Sequence, residues 1–168
     1  MTHISLTVKD AQSMREVGEG VIAPLVRAGD LVIVTGELGA GKTTLVQGIG
    51  AGLGVRGPVT SPTFIIARTH PSEVGGPSLI HVDAYRLGSL AELDDLDLDA
   101  TLDEAVTVVE WGEDLAEVLS DDRLHVAIHR LRGGDVRDGD GGPRTVEIRG
   151  IGASWAARTV AGPKEVGP

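Results

Sequence analysis

Apolar positions recur along this chain in three spacings, and each spacing predicts a different kind of element. Ile4-Ser5-Leu6-Thr7-Val8 alternates apolar and polar residues, the two-residue period of a half-buried strand. Asp10 then precedes Met14, Val17, Val21 and Leu25, whose near-helical spacing predicts a helix capped by that aspartate. After the turn at Gly29-Asp30, Leu31-Val32-Ile33-Val34 is continuously apolar, as expected of a central strand covered on both faces. Leu45, Ile49 and Leu53 fall on one face of a second helix. Gly48, Gly50 and Gly52 lower that helix's intrinsic propensity, so packing must hold it.

Further along, Phe64-Ile65-Ile66-Ala67 and Leu79-Ile80-His81-Val82 predict two strands that pair as neighbours across the turn-rich segment His70 to Ser78. Residues 89–105 are acidic with interleaved leucines, which reads as a solvated face, and Val106-Thr107-Val108-Val109 follows as another strand. Leu115, Val118 and Leu119 predict a short helix. Leu124 to Ile128 and Thr145 to Ile148 predict a terminal hairpin around the Gly/Asp-rich loop 133–143. From Gly152 onward the chain is rich in Ala, Gly and Pro and carries little core signal apart from Trp155, so a weakly ordered tail is expected over 152–168. The pattern as a whole predicts one α/β domain over 1–151, with a sheet, flanking helices and a C-terminal antiparallel hairpin.

Composition narrows the chemistry. Aromatic residues make up only 2% of the chain, so the core must be aliphatic. Cys is absent, which removes disulfides and thiolate metal sites, and the five histidines show no metal-ligand spacing. No apolar run approaches the length of a membrane span, and the first residues lack a signal layout, so a cytoplasmic protein without membrane contact is expected. The formal net charge of −10 argues against tight independent binding to nucleic acid, which relies on Lys and Arg displacing counterions. Contact with RNA is expected only through a partner protein.

Gly36-Glu37-Leu38-Gly39-Ala40-Gly41-Lys42-Thr43 fits the phosphate-loop pattern G-x-x-x-x-G-K-[ST], with a buried strand before it and a helical pattern after it. Glycines let the backbone N–H groups turn inward, and the following helix directs its positive end at phosphate. Lys42 is placed to reach the β- and γ-phosphates, and the Thr43 hydroxyl to bind Mg²⁺. Acidic groups are needed near such a metal, and two apolar runs end in one: Leu79 to Asp83 and Val106 to Glu110. Asp83 is similar to a Walker B aspartate. It is followed by Ala84, so the acid that orients a hydrolytic water must come from elsewhere, and Glu110 is the candidate. The sequence leaves open which carboxylate binds the ion directly. Thr60-Ser61-Pro62-Thr63 stands where a hydroxyl-bearing, phosphate-sensing segment or a plain turn would fit. His81 and Trp111 read as packed residues on these grounds.

Together, Gly36 to Thr44, Ser61-Pro62-Thr63-Phe64, His81-Val82-Asp83-Ala84-Tyr85-Arg86-Leu87 and Val109-Glu110-Trp111 resemble, in order and spacing, the bacterial tRNA threonylcarbamoyladenosine biosynthesis ATPase family, TsaE (formerly YjeE). The resemblance implies a P-loop NTPase-like fold and slow Mg²⁺-dependent ATP hydrolysis. It also implies a role in forming the threonylcarbamoyl group on adenosine 37 of tRNA, with ATP turnover resetting or activating a complex of the partner proteins TsaD and TsaB. Carried over by position, it gives Lys42 and Thr43 to phosphate and Mg²⁺, and Glu110 and Asp83 to the metal and to catalysis. The backbone from Gly36 through Glu37, Leu38, Gly39, Ala40 and Gly41 to Thr44 would hold the nucleotide. Trp111 would form a wall of the nucleotide site, 60–63 the switch-like loop, and Gly142 a nucleotide-contacting hairpin glycine.

Three other readings carry less. A small-molecule kinase would use Arg130 and Arg132 as a lid, but no acceptor pocket is evident in the sequence. A regulatory GTPase is disfavoured because the chain has no Asn with which to form the guanine-reading motif, and ATP fits better. A nucleotide-dependent scaffold in which hydrolysis is incidental also fits the motifs.

Overall fold

The computed structural model describes residues 3–60, 67–85, 91–92, 95, 97, 101–111, 116–131 and 142–158. Seven strands form one sheet: β1 (His3–Val8), β2 (Leu31–Gly36), β3 (Ala67–His70), β4 (Ser78–Asp83), β5 (Ala105–Glu110), β6 (Arg123–Arg130) and β7 (Arg144–Ile151). Their order across the sheet is β1-β7-β6-β2-β5-β4-β3. The centre is parallel, with β2 between β5 and β6 and β4 beyond β5, whereas β3, β7 and β1 join antiparallel. The expected α/β sheet with flanking helices and a C-terminal hairpin is therefore present. Among the described residues no helix is long and apolar enough to cross a membrane.

The continuous apolar run of β2 divides between the two faces. Val32 and Val34 join a large cluster under the helices, with Leu45, Ile49, Val108, Val126 and Ile148, while Leu31 and Ile33 pack on the opposite face with Ile80, Val82 and Val109. A strand enclosed on both sides has no place for a polar side chain, which is why its sequence does not alternate.

Helix α1 (Ala11–Val17) starts at the predicted cap, where the Asp10 carboxylate accepts from the Ser13 N–H at 2.7 Å. Its continuation departs from a regular helix. Gly18–Ile22 forms a π-turn, closed by Ala23 N–H donating to the Gly18 carbonyl at 2.9 Å. One extra residue in the turn rotates the following positions, so that Ile22, Ala23 and Val26 are buried and the expected Val21 and Leu25 are only partly so.

Helix α2 (Lys42–Leu53) lies against α1 and this π-turn at close range. A Cβ on Gly48 would stand 2.1 Å from the Arg15 carbonyl oxygen, and one on Gly52 2.7 Å from that of Glu19. Two of the glycines that weaken α2 as a helix are thus what allow its neighbour to approach.

Of the strand expected over 64–67, Ala67 lies in β3, while Phe64 to Ile66 lie outside the described residues, as do Ser61 to Thr63 of the switch-like segment. The segment expected to be a tail is described as far as Arg158, and there it packs: Ala153–Ala156 is a helical turn and Trp155 is fully buried. Of the acidic stretch 89–105, the 3-10 turn Leu102–Glu104 leads into β5, and the short helix expected near 115–119 is a 3-10 turn at Ala116–Leu119.

Candidate functional site

The parallel strands β2, β4 and β5 end together, and the loop after β2 crosses their carboxyl ends. That loop needs glycine where the chain reverses: φ is +73° at Gly39 and +105° at Gly41, a region that L side chains rarely occupy. α2 follows immediately, with Leu45 N–H donating to the Gly41 carbonyl at 2.9 Å. The early N–H groups of α2 lack partners within the helix and give this end a positive field.

Lys42 lies beneath the loop, nearly buried. Its Nζ donates to the Gly36 and Glu37 carbonyls, each at 2.9 Å, and stands 3.7 Å from the centre of the Trp111 ring. Burial lowers the pKa of this ammonium from its ordinary value, against the opposing pull of the Glu110 and Asp83 carboxylates. A cation held, among the described residues, by carbonyl oxygens and a ring face would gain from a phosphate oxygen in the same place.

Glu110 ends β5 and is also nearly buried. The Thr43 hydroxyl donates to Glu110 Oε1 at 3.2 Å, with Oε2 at 3.4 Å. His81, fully buried on β4, brings its Nε2 to 2.7 Å from Oε1. Asp83 ends β4 directly beside Glu110 in register, and its Oδ1 accepts from the Tyr85 N–H at 3.0 Å. Trp111 follows Glu110 at φ +61°, an unusual conformation for a bulky residue, and its N–H donates to the Val34 carbonyl at 3.1 Å. That turn places the indole over Lys42 and within 5.1 Å of the Tyr85 ring centre.

A cleft of about 500 Å³ results, lined by Leu38, Gly39, Gly41, Lys42, Thr43, Thr44, Asp83, Tyr85, Glu110 and Trp111. Segments far apart in sequence therefore meet as the motif spacing anticipates. Gly36, Glu37 and Ala40 complete the loop without lining the cleft. Gly142 does not line it either; its carbonyl accepts from Arg144, whose guanidinium also donates to the Gly39 carbonyl at 3.2 Å. Arg130 donates to the same Gly39 oxygen at 3.0 Å, so the hairpin braces the loop from outside. A larger hollow of about 730 Å³ opens on the other face of the sheet beside His125, His129 and Arg149 and reaches Gly36, Glu37 and Trp111, while Lys42, Thr43, Asp83 and Glu110 line the smaller cleft.

Sequence reasoning missed His81, which it read as packing. The available signal was its position two residues before Asp83, which puts both side chains on one face of β4. Thr60, the described residue of the switch-like segment, accepts from Arg68 at 3.0 Å and is exposed.

A family model described as threonylcarbamoyl adenosine biosynthesis protein TsaE matches residues 8–137. A Streptomyces coelicolor protein named tRNA threonylcarbamoyladenosine biosynthesis protein TsaE is 57% identical over 149 residues, covering 88% of this chain and 97% of the relative. A Bacillus subtilis protein of the same name is 38% identical over 117 residues, covering 69% of this chain and 71% of the relative. The crystal structure of Bacillus subtilis YdiB matches with a TM-score of 0.71 at 26% identity, covering 92% of this chain and 90% of the other. With the family model spanning most of the chain and relatives this similar, the chain belongs to the TsaE family of threonylcarbamoyladenosine biosynthesis proteins.

Proposed function

We propose that this protein is an Mg²⁺-dependent ATPase that supports threonylcarbamoyl modification of tRNA adenosine 37 by acting on a complex of TsaD and TsaB. The observation that carries the reading is the pairing of Lys42, held by the Gly36 and Glu37 carbonyls at 2.9 Å, with a Thr43 hydroxyl donating to Glu110 across the same cleft. Lys42 exchanges its carbonyl partners for β- and γ-phosphate oxygens. The loop N–H groups and the start of α2 hold the remaining phosphate charge. Trp111 walls the site and keeps water from the lysine.

Thr43, Glu110 and Asp83 offer a hydroxyl and two carboxylates, the oxygen donors that Mg²⁺ accepts alongside phosphate and water. When bound, the ion supplies charge neutralisation for the phosphates. Glu110 is the carboxylate best placed to take part in orienting the attacking water, since it stands beside Thr43 within the cleft. The net charge of −10 makes independent tRNA binding weak, so the partners carry the contact with tRNA. Cytoplasmic location follows from that substrate.

The test is ATP hydrolysis with Mg²⁺ by the purified protein, alone and with TsaB and TsaD, beside Lys42→Ala. Slow turnover that the partners stimulate, and that the variant loses by about 100-fold or more, is the expected result. Binding of ATP without stimulation would instead favour a scaffold whose hydrolysis is incidental.

A further inference from the structure

We propose that His81 is the positioning residue for Glu110: its imidazole, fully buried one strand away, fixes the carboxylate so that it remains aimed into the cleft. The inference rests on the ATPase reading above and deepens it.

Glu110 is 3% exposed, so water does little to orient its carboxylate. Thr43 and His81 supply the side-chain hydrogen bonds to it among the described residues. In the reading proposed above, the Thr43 hydroxyl would serve Mg²⁺ through its oxygen as well as the carboxylate through its O–H, so its placement answers to two partners. His81 has no such second duty. It is 0% exposed, lies behind the cleft rather than among its lining residues, and stands at 2.7 Å, the shorter of the two contacts.

The carboxylate can only accept, so the ring donates from Nε2. Strand register makes the contact possible. β4 and β5 are parallel with His81 opposite Val108 and Asp83 opposite Glu110, so His81, Asp83 and Glu110 all project on the side that faces α2. Each strand thus brings an acid to the cleft, and β4 places a donor below the acid of its neighbour. His81 Nδ1 is buried with no partner among the described residues, so the Nε2 contact with Glu110 is the only one that rewards an imidazole here over an aliphatic side chain. A leucine would otherwise suit this position. Partners that orient a metal-binding carboxylate typically alter metal affinity or activity by about 10–100-fold when removed.

The experiment compares the full-length wild type with His81→Leu, His81→Gln, Glu110→Gln and the His81→Leu/Glu110→Gln double variant. Three quantities are measured: ADP affinity in EDTA, the Mg²⁺ concentration that half-saturates ADP binding, and ATP turnover with TsaB and TsaD. His81→Leu is expected to keep its EDTA affinity, which depends on the loop, while its Mg²⁺ midpoint rises or its turnover falls about 10–100-fold. Gln carries an N–H at a reach similar to Nε2 and is expected to restore most of the loss. In the Glu110→Gln background, His81→Leu should add no more than about twofold, because the residue it acts through has already been changed.

His81→Leu with a wild-type Mg²⁺ midpoint and wild-type turnover overturns the assignment. So does a His81→Leu penalty that persists in full in the Glu110→Gln background, or one that Gln fails to relieve while EDTA affinity is normal. If the wild type itself binds no nucleotide, the ATPase reading falls and this inference with it, an outcome distinct from the failure of His81 alone.

Discussion

Two buried histidines show how a neighbour decides what a residue does. His81 meets a carboxylate at 2.7 Å, whereas His70, 5% exposed, has its Nδ1 3.3 Å from the Arg56 carbonyl. Burial lowers the pKa of His70 from the ordinary 6.5, with the Arg56 carbonyl pulling the other way and the neighbours His81 and Arg68 adding to the depression. Its folded pKa is therefore below its unfolded one, so the unfolded chain binds the proton more readily as pH falls through the ordinary histidine range. Stability should be undiminished by this group above that range and should decline as pH drops from about 6.5 toward the folded value. His70→Asn, whose amide N–H lies near the position of Nδ1 and so keeps a donor for the Arg56 carbonyl, should flatten that part of the curve in urea titrations run from pH 8 to pH 5. An unchanged slope would remove His70 from the account.

At the same scale, motif spacing made Lys42, Thr43, Asp83 and Glu110 legible because each residue type is tied to a chemical task. The use of His81 was legible only in part: its spacing from Asp83 gives the face of β4 it takes, but nothing in one strand says which side chain the adjacent strand will present to it.

At the scale of elements, glycines set how closely α1 with its π-turn approaches α2, beside the apolar core that Met14, Val17 and Ile22 share with Leu45 and Ile49. Gly18 approaches the Leu45 carbonyl so closely that a Cβ would stand 2.3 Å from it, and a Cβ on Gly48 would stand 2.1 Å from the Arg15 carbonyl oxygen. Alanine ordinarily favours a helix over glycine by about 1 kcal/mol. At Gly48 the obstacle is backbone, which cannot swing aside, so Gly48→Ala should destabilise the protein by about 1–3 kcal/mol despite that propensity gain. Gly20, in the π-turn, has nothing within 4 Å of the same added atom, and Gly20→Ala should be neutral or stabilising by up to about 1 kcal/mol. Urea midpoints for the two variants should move in opposite directions, or the first should move alone; a Gly48→Ala midpoint equal to the wild type would refute the close approach.

This interface also explains where the sequence reading lost phase. Period and cap placed α1 correctly, since Asp10, Met14 and Val17 act locally. Val21 and Leu25 yielded to Ile22 and Val26 because the π-turn adds a residue, and that turn sits where Gly18 contacts a helix nearly thirty positions later. The strands were legible with few errors, since an apolar run enclosed on both faces, such as β2 or β5, does not depend on phase.

At the scale of the whole molecule, the first and last described segments both pack against the sheet that carries the site. β1 adds to β7, and the chain after β7 returns to the helical side, where Trp155 joins the core cluster with Val8 and Met14. Arg158 then lies over the Trp155 ring at 4.1 Å and makes a two-point ion pair with Asp30, the turn residue just before β2, while the Asp122 carboxylate accepts from the Ser154 N–H at 3.1 Å. Small residues surrounding a single Trp hide such packing from a composition-based reading, because one large side chain can bury as much surface as several ordinary ones. Emptying that position should cost about 3–5 kcal/mol, a large part of the stability of a domain this size. Trp155 is nevertheless on the far side of the core from the phosphate loop's cleft and lines no part of it. Trp155→Ala should therefore lower the melting temperature sharply while leaving ATP affinity near that of the wild type at temperatures where the variant remains folded. Calorimetric unfolding paired with nucleotide titration on one preparation checks this. A variant that melts normally would show that the segment after Gly152 contributes no core, and one that binds ATP poorly while folded would tie the C-terminal packing to the site through β2.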